Sequence, residues 1–292
     1  MRITRVAVAL GALTMAVAVG ACGSNDDSGS SGGGSKSFAA GSTMERLNKA
    51  QSIKVGTKFD QPGFGLKGLS GKPEGFDVEV AKLIVKELGI PTDKIQYVET
   101  PSKIREDAIV NGQVDMVVAT YTINDLRKQR VAFAGPYYVA GQNIMVKKDD
   151  TSITGPDSFA DGTKKVCSVT GSTPAETIKK HVKDVATQLV LFDTYDKCRD
   201  ALKGGQVNAV TTDNVILAGY VDKDKNSFKL AGDNFTKEPY GIGVKKDDTA
   251  FRGFINDALD KAFKDGSWKK AWDDTAGKFG AQLGETPTID RY

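Results

Sequence analysis

The chain has 292 residues, a net charge of +3 and 39% hydrophobic residues. This is the composition of an ordinary globular protein, with length for one large domain or two of roughly 100–130 residues. Its charges are mixed along the chain with no basic tract, which argues against a nucleic-acid partner.

The N-terminus reads as an export signal over residues 1–21. Arg2 and Arg5 are followed by a run of small apolar residues, Val6 to Val19, too short for a comfortable membrane span. Val19-Gly20-Ala21-Cys22 resembles a lipobox, in which Cys22 would be lipidated and become the mature N-terminus; an ordinary signal with an incidental cysteine is the alternative. Residues 22–42, rich in Ser and Gly from Gly23 to Ser37, then form a lipid-anchored flexible linker. Two acyl chains on one cysteine suffice for stable anchoring, on the extracellular face of the cell membrane.

Ile53–Thr57 is a strand, and a Gly/Pro-rich loop runs from Lys58 to Gly75. Phe76, Val80, Leu83, Ile84 and Leu88 have helical spacing, and Gly89 and Pro91 stop the helix. A strand at Ile95–Val98, a short helix at Ser102–Asn111 and a strand at Val114–Ala119 follow. Strands alternating with helices imply a parallel sheet with helical crossovers. The second half repeats the scheme. Strands are predicted at Lys165–Thr170, Gln188–Phe192 and Val207–Thr212, with helices at Pro174–Ala186 and Tyr195–Lys203. The helix–Gly–Gln–Val–strand unit from Ala108 to Asp115 recurs from Ala201 to Asn208. Asn143–Lys148 and Tyr240–Lys246 share a Val-Lys-Lys ending and read as paired crossings between two lobes. Ala250–Gly277 is amphipathic helix broken at Asp265–Ser267, and its aromatic residues, Trp268 and Trp272 among them, belong to a core.

The stretch VDMVVATYTINDLRKQRVAF carries the first site element. A buried strand ends in Thr120, Tyr121 and Thr122, with Arg127 close behind. A guanidinium offers a planar fork of donors that fits a carboxylate, and hydroxyls fill the remaining lone pairs; a strand end with a surface arginine is the competing reading. In the second half, Thr173 suits an N-cap, Pro174 the first helical position, and Glu176 completes a capping box. The same helix start offers the amides of Ser172 and Thr173 to an anion. Asp213, at a strand end, offers a negative charge to an ammonium or caps the following helix. Cys167 and Cys198, an even pair in an exported chain, read as a disulfide. The single histidine, His181, lies among lysines on an exposed helix face. Neither a Ser/His/Asp set nor a metal-ligand cluster is evident.

GFDVEVAKLIVKELG, VDMVVATYTINDLRKQRVAF, PYY, VTGSTPAE and AVTTDNVILAG together resemble the polar-amino-acid solute-binding proteins of ABC importers, family 3 type, from about Ile53 to Gly277. The likeness is strongest to glutamate-binding lipoproteins of Gram-positive bacteria. It implies an α/β, two-lobed periplasmic-binding-protein-like fold (type II) with two hinge strands and an interlobe cleft. Lobe 1 would comprise residues 43–143 and 242–292, and lobe 2 residues 144–241. By motif position, Arg127 and Thr122 would hold the α-carboxylate of an amino acid, with the Ser172 and Thr173 amides opposite. The Thr120 carbonyl and Asp213 would hold the ammonium. Lys58 and Arg105 stand where members with acidic ligands carry basic residues, which favours glutamate, or aspartate, over glutamine or another polar amino acid. Gln61 replaces the aromatic ring of other members, and either Phe64 or Tyr195 would supply the packing. The resemblance implies a monomer without cofactor or metal that delivers its ligand to membrane permease subunits. An exported dehydratase on the same scaffold and a sensor presenting its ligand to a separate receptor are the competing classes.

Overall fold

The computed structural model describes residues 36–292; the signal segment and Cys22 lie outside the described residues. Two five-stranded mixed sheets carry the fold. The first has the spatial order Ile95–Glu99, Ile53–Thr57, Met116–Val117, Glu238–Lys245, Val131–Ala140. Its first three strands are parallel, and Glu238–Lys245 runs antiparallel to both its neighbours. The second has the order Leu189–Phe192, Val166–Val169, Ala209–Asp213, Gln142–Lys147, Phe228–Ala231. Its first three strands are again parallel and the remaining pairings antiparallel. The two copies of the Gly–Gln–Val unit therefore deliver their chains to the same place, the third strand of each sheet. A small antiparallel meander, Asp60–Gln61, Gly65–Lys67 and Pro73–Glu74, occupies the predicted loop before the first long helix. This is the two-lobed type II binding-protein fold.

The helix Phe76–Glu87 buries Phe76, Val80, Ala81 and Ile84, and Gly89 follows it in the left-handed region. The C-terminal helices Thr249–Asp265 and Ser267–Asp274 break at Gly266, also left-handed, and return to the first lobe. There Trp272 stacks on Tyr138 with ring centroids 4.8 Å apart, and Trp268 Nε1 donates to the Tyr137 carbonyl at 2.9 Å. These aromatic residues are core, as their spacing implies.

Three expectations change. The segments Asn143–Lys148 and Tyr240–Lys246 are not the crossings: each lies mainly within one sheet, and they do not pair with each other. Their apolar residues Ile144, Met145, Val146, Ile242 and Val244 are fully buried, which suits interior strands. The chain passes between lobes just before each, through Gly141 and the residues leading to Glu238, where Glu238 pairs with Ala140 and Pro239 with Val139. The helix expected over Pro174–Ala186 is two short pieces, Thr173–Ile178 and Val185–Gln188. His181 lies between them, half-buried, its ring against Phe235, not on an exposed helix face.

Cys167 and Cys198 form a disulfide with Cα atoms 5.5 Å apart, tying the strand Val166–Val169 to the helix Tyr195–Lys203. Closing a loop of this length restricts the unfolded chain by about 3–4 kcal/mol. Replacing both cysteines by serine should lower the unfolding free energy by roughly that amount in denaturant titrations; an unchanged midpoint and slope would show that the crosslink contributes nothing.

Candidate functional site

The site grows from one backbone turn. After the strand Met116–Val117 the chain reaches Thr120, which adopts φ +46°, a left-handed conformation disfavoured for a β-branched residue. The turn is held by Asp77, in the first turn of the helix Phe76–Glu87. Asp77 Oδ2 accepts from the Thr120 amide at 2.8 Å, and Oδ1 accepts from Tyr137 Oη at 2.6 Å. The Thr120 hydroxyl lies 2.8 Å from the Ala119 carbonyl and 3.0 Å from Gln61 Oε1, within reach of donating to either.

Three cations gather beside this turn. The Tyr121 ring has the Arg105 guanidinium 4.1 Å and the Arg127 guanidinium 5.0 Å from its centroid. Arg105 Nη1 donates to the Ala119 carbonyl at 2.8 Å and to the Thr120 carbonyl at 3.4 Å. Lys58 Nζ donates to Ser102 Oγ at 2.8 Å. Arg127 Nη1 donates to the Thr122 carbonyl at 2.7 Å, and Arg127 Nε lies 3.3 Å from Glu106 Oε1. Its Nη2 reaches the other lobe and donates to the Gly171 carbonyl at 3.1 Å. All three cations are buried, so solvent does little to stabilise their charge. Burial, with Arg105 nearby, pulls Lys58 down to about 7 and Arg127 down to about 10. Among the described residues neither Lys58 nor Arg105 makes an ion pair.

The second lobe brings its own wall. Gly171 takes φ +78°, and the helix cap falls one residue earlier than expected: Ser172 Oγ accepts from the Ala175 amide at 3.1 Å. Thr173 and Pro174 are then the first two helical residues. Glu176 lies one position too far for a capping box and pairs with Lys179 instead. The Ser172 amide is committed to the Val169 carbonyl at 3.1 Å. The shift frees the Thr173 hydroxyl, which donates to Glu238 Oε2 at 2.8 Å and lies 3.3 Å from Thr122 Oγ1. Asp213 makes no side-chain cap; its Oδ2 accepts from Tyr240 Oη at 2.6 Å, and its buried Oδ1 has no partner among the described residues. Burial, then the charge of Glu238, pushes Asp213 up to about 7. Tyr195 is buried, and its amide donates to Asp60 Oδ2 of the first lobe at 2.7 Å.

Arg127 and Asp213 meet through a short relay. Arg127 bonds the Thr122 carbonyl, Thr122 bridges Tyr240 across the backbone, and the Tyr240 hydroxyl bonds Asp213. A short chain of contacts thus links a cation of the first lobe to a carboxylate of the second. Residues 53–274 match the bacterial extracellular solute-binding proteins, family 3. The chain belongs to this family. It is 39% identical over 285 residues to the glutamate-binding protein GluB of Corynebacterium efficiens, covering 94% of this chain and 92% of that one. It is 38% identical over 266 residues to the glutamine-binding protein GlnH of Bacillus subtilis, covering 91% and 94%. Among solved structures it resembles an ancestral arginine-binding protein bound to arginine, with TM-score 0.72 and 37% identity over 77% of this chain and 98% of that chain.

Within this family 3 chain, sequence reasoning singled out the charges of the wall but missed what aims them. Asp77 was visible only as a polar residue on an apolar stripe, three and four positions before Val80 and Ala81. Glu106, Glu238 and Tyr240 gave no local signal, because their partners are distant in sequence or follow from the fold. No group of acidic, histidine or cysteine side chains suited to a metal occurs among the described residues.

Asp77 carries a pH signature. Burial raises it from 3.8 to about 7, against the lowering effect of its two hydrogen bonds. The folded state therefore binds the proton more tightly than the unfolded chain. That contribution to stability is complete below about pH 4 and is lost as pH rises through about 7. Asparagine can satisfy both partners without titrating. Between pH 4.5 and 7.5 the wild type should lose stability relative to Asp77→Asn, by about 1.4 kcal/mol per unit of displacement. Parallel pH profiles in urea titrations would contradict this assignment.

Proposed function

We propose that this protein is the ligand receptor of an amino-acid ABC importer and that it binds L-glutamate, with aspartate as the next candidate, between its lobes. The observation that carries the reading is the pair of buried basic side chains without ion-pair partners among the described residues, Lys58 and Arg105, in the same wall as Arg127. An acidic group between them would draw Lys58 into its charged form. An acidic amino acid brings two carboxylates and one ammonium. Arg127 and Thr122 would take the α-carboxylate, with the Thr173 amide opposite. Asp213 and the Thr120 carbonyl would take the ammonium, and Lys58 and Arg105 the side-chain carboxylate. Tyr195 would close the wall behind it.

The name of the C. efficiens relative supports the acidic ligand, and that of the B. subtilis relative makes glutamine the natural rival. An amide in place of the side-chain carboxylate would leave the two cations facing a neutral group. A charge-assisted hydrogen bond is worth roughly 1.5–3 kcal/mol, so that exchange should cost about tenfold or more in affinity. Binding and release, without turnover, is the whole of the proposed role.

Calorimetric titration should give micromolar or tighter binding of L-glutamate and at least tenfold weaker binding of L-glutamine. Arg127→Ala should lose about a hundredfold or more, and Lys58→Met should narrow the gap between the two amino acids. Tighter binding of glutamine, or an Arg127→Ala protein that binds like the wild type, would overturn the assignment.

We also propose that Cys22 bears a lipid anchor holding the protein at the outer face of the membrane. Cys22→Ala should release the protein into the medium; retention with the membrane fraction would exclude the anchor.

A further inference from the structure

Glycine inside a helix is a poor choice unless something demands it. Gly219 lies within the helix Asn214–Lys223, which begins directly after Asp213, and its backbone is not left-handed. What it provides is space. A Cβ placed there would lie 2.5 Å from the Pro62 carbonyl oxygen, 3.0 Å from Pro62 Cβ and 3.1 Å from the Pro62 carbonyl carbon. All three of these nearest atoms belong to the first lobe; none comes from the second lobe, which contains the helix. The helix is tied to the same short stretch by one further contact: Tyr220 Oη donates to the Asp60 carbonyl at 2.6 Å. A neighbouring second-lobe helix, Tyr195–Lys203, reaches the same stretch, its Tyr195 amide donating to the buried Asp60 carboxylate at 2.7 Å.

We propose that this contact, helix Asn214–Lys223 against Asp60–Pro62, is a closure latch that sets ligand affinity, and that Gly219 is the positioning residue that allows it to form. The proposal rests on the reading of the chain as an amino-acid receptor. Gly219 touches no proposed ligand group. It acts by letting the lobes approach until Asp213 and Arg127 face the same ligand. A methyl group at this position would hold the lobes apart and reduce the fraction of molecules able to bind, which raises the apparent dissociation constant in proportion. With the lobes apart, the same methyl group meets no clash and improves the helix. The two effects have opposite signs, which a merely structural role does not predict.

The test compares the wild type, Gly219→Ala and Tyr220→Phe in three measurements: ligand-free thermal midpoint, calorimetric affinity for L-glutamate, L-glutamine and L-arginine, and radius of gyration by small-angle X-ray scattering with and without saturating amino acid. Gly219→Ala should raise the ligand-free midpoint by about 2 °C. It should weaken binding at least tenfold, with the ranking of amino acids unchanged, and remain more extended than the wild type at saturation. Tyr220→Phe should weaken binding severalfold without the rise in midpoint. Gly219→Ala that binds within twofold of the wild type overturns the latch, as does a lowered ligand-free midpoint or a wild type that compacts with none of the three amino acids. A wild type that prefers an amino acid other than glutamate refutes the glutamate reading alone, and the latch is then judged on the preferred amino acid.

Discussion

A guanidinium removed from water needs acceptors for its donors, and Arg127 draws them from both lobes. The Thr122 carbonyl and Glu106 come from the first lobe and the Gly171 carbonyl from the second. An uncompensated buried charge costs several kcal/mol, whereas a paired and hydrogen-bonded one is tolerated. The acceptors around Arg127 therefore tie its hydrogen bonding to the relative position of the lobes. A ligand carboxylate would offer this cation full negative charge where the second lobe offers one carbonyl, and closure would then follow from the same electrostatics that recognises the ligand.

The surrounding structure keeps that interaction in register. Asp77 and Tyr137 fix the left-handed Thr120 turn, which carries Tyr121 and Thr122 directly after it. Tyr121 in turn gives Arg105 and Arg127 a common face to stand against. The strand Glu238–Lys245 does double duty. It returns the chain to the first sheet, and near the crossing it presents Glu238 to Thr173 and Tyr240 to Asp213, both in the second lobe. The disulfide holds the strand leading to Ser172 against the helix that starts at Tyr195, so two elements of the second wall are linked covalently.

Local pattern made part of this legible. Alternating strand and helix signals describe both sheets, and the repeated Gly–Gln–Val unit marks the third strand of each. Arg127 beside Thr122, and Asp213 at the end of its strand, could be picked out because polar residues that terminate a buried run stand out against it. Lys58 and Arg105 drew attention through resemblance to a family rather than through pattern. What stayed hidden depends on long-range contact. Asp77 bonds residues 43 and 60 positions away, and no periodicity encodes such a partnership. The crossings were misplaced because Val/Ile-rich segments signal strand without saying which sheet they join. The helix cap was displaced by one residue because Ser172 and Thr173 are both good caps, and the left-handed turn at Gly171 accompanies the use of Ser172.

We propose that a dicarboxylic zwitterion is held between opposite charges supplied by the two lobes. A crystal structure of the protein grown with L-glutamate tests this most directly. It should place the α-carboxylate on the Arg127 guanidinium, the ammonium on Asp213 and the side-chain carboxylate within hydrogen-bond reach of Lys58 or Arg105. Glutamate bound outside the interlobe space, or inside it with Arg127 and Asp213 both turned away, would contradict the account.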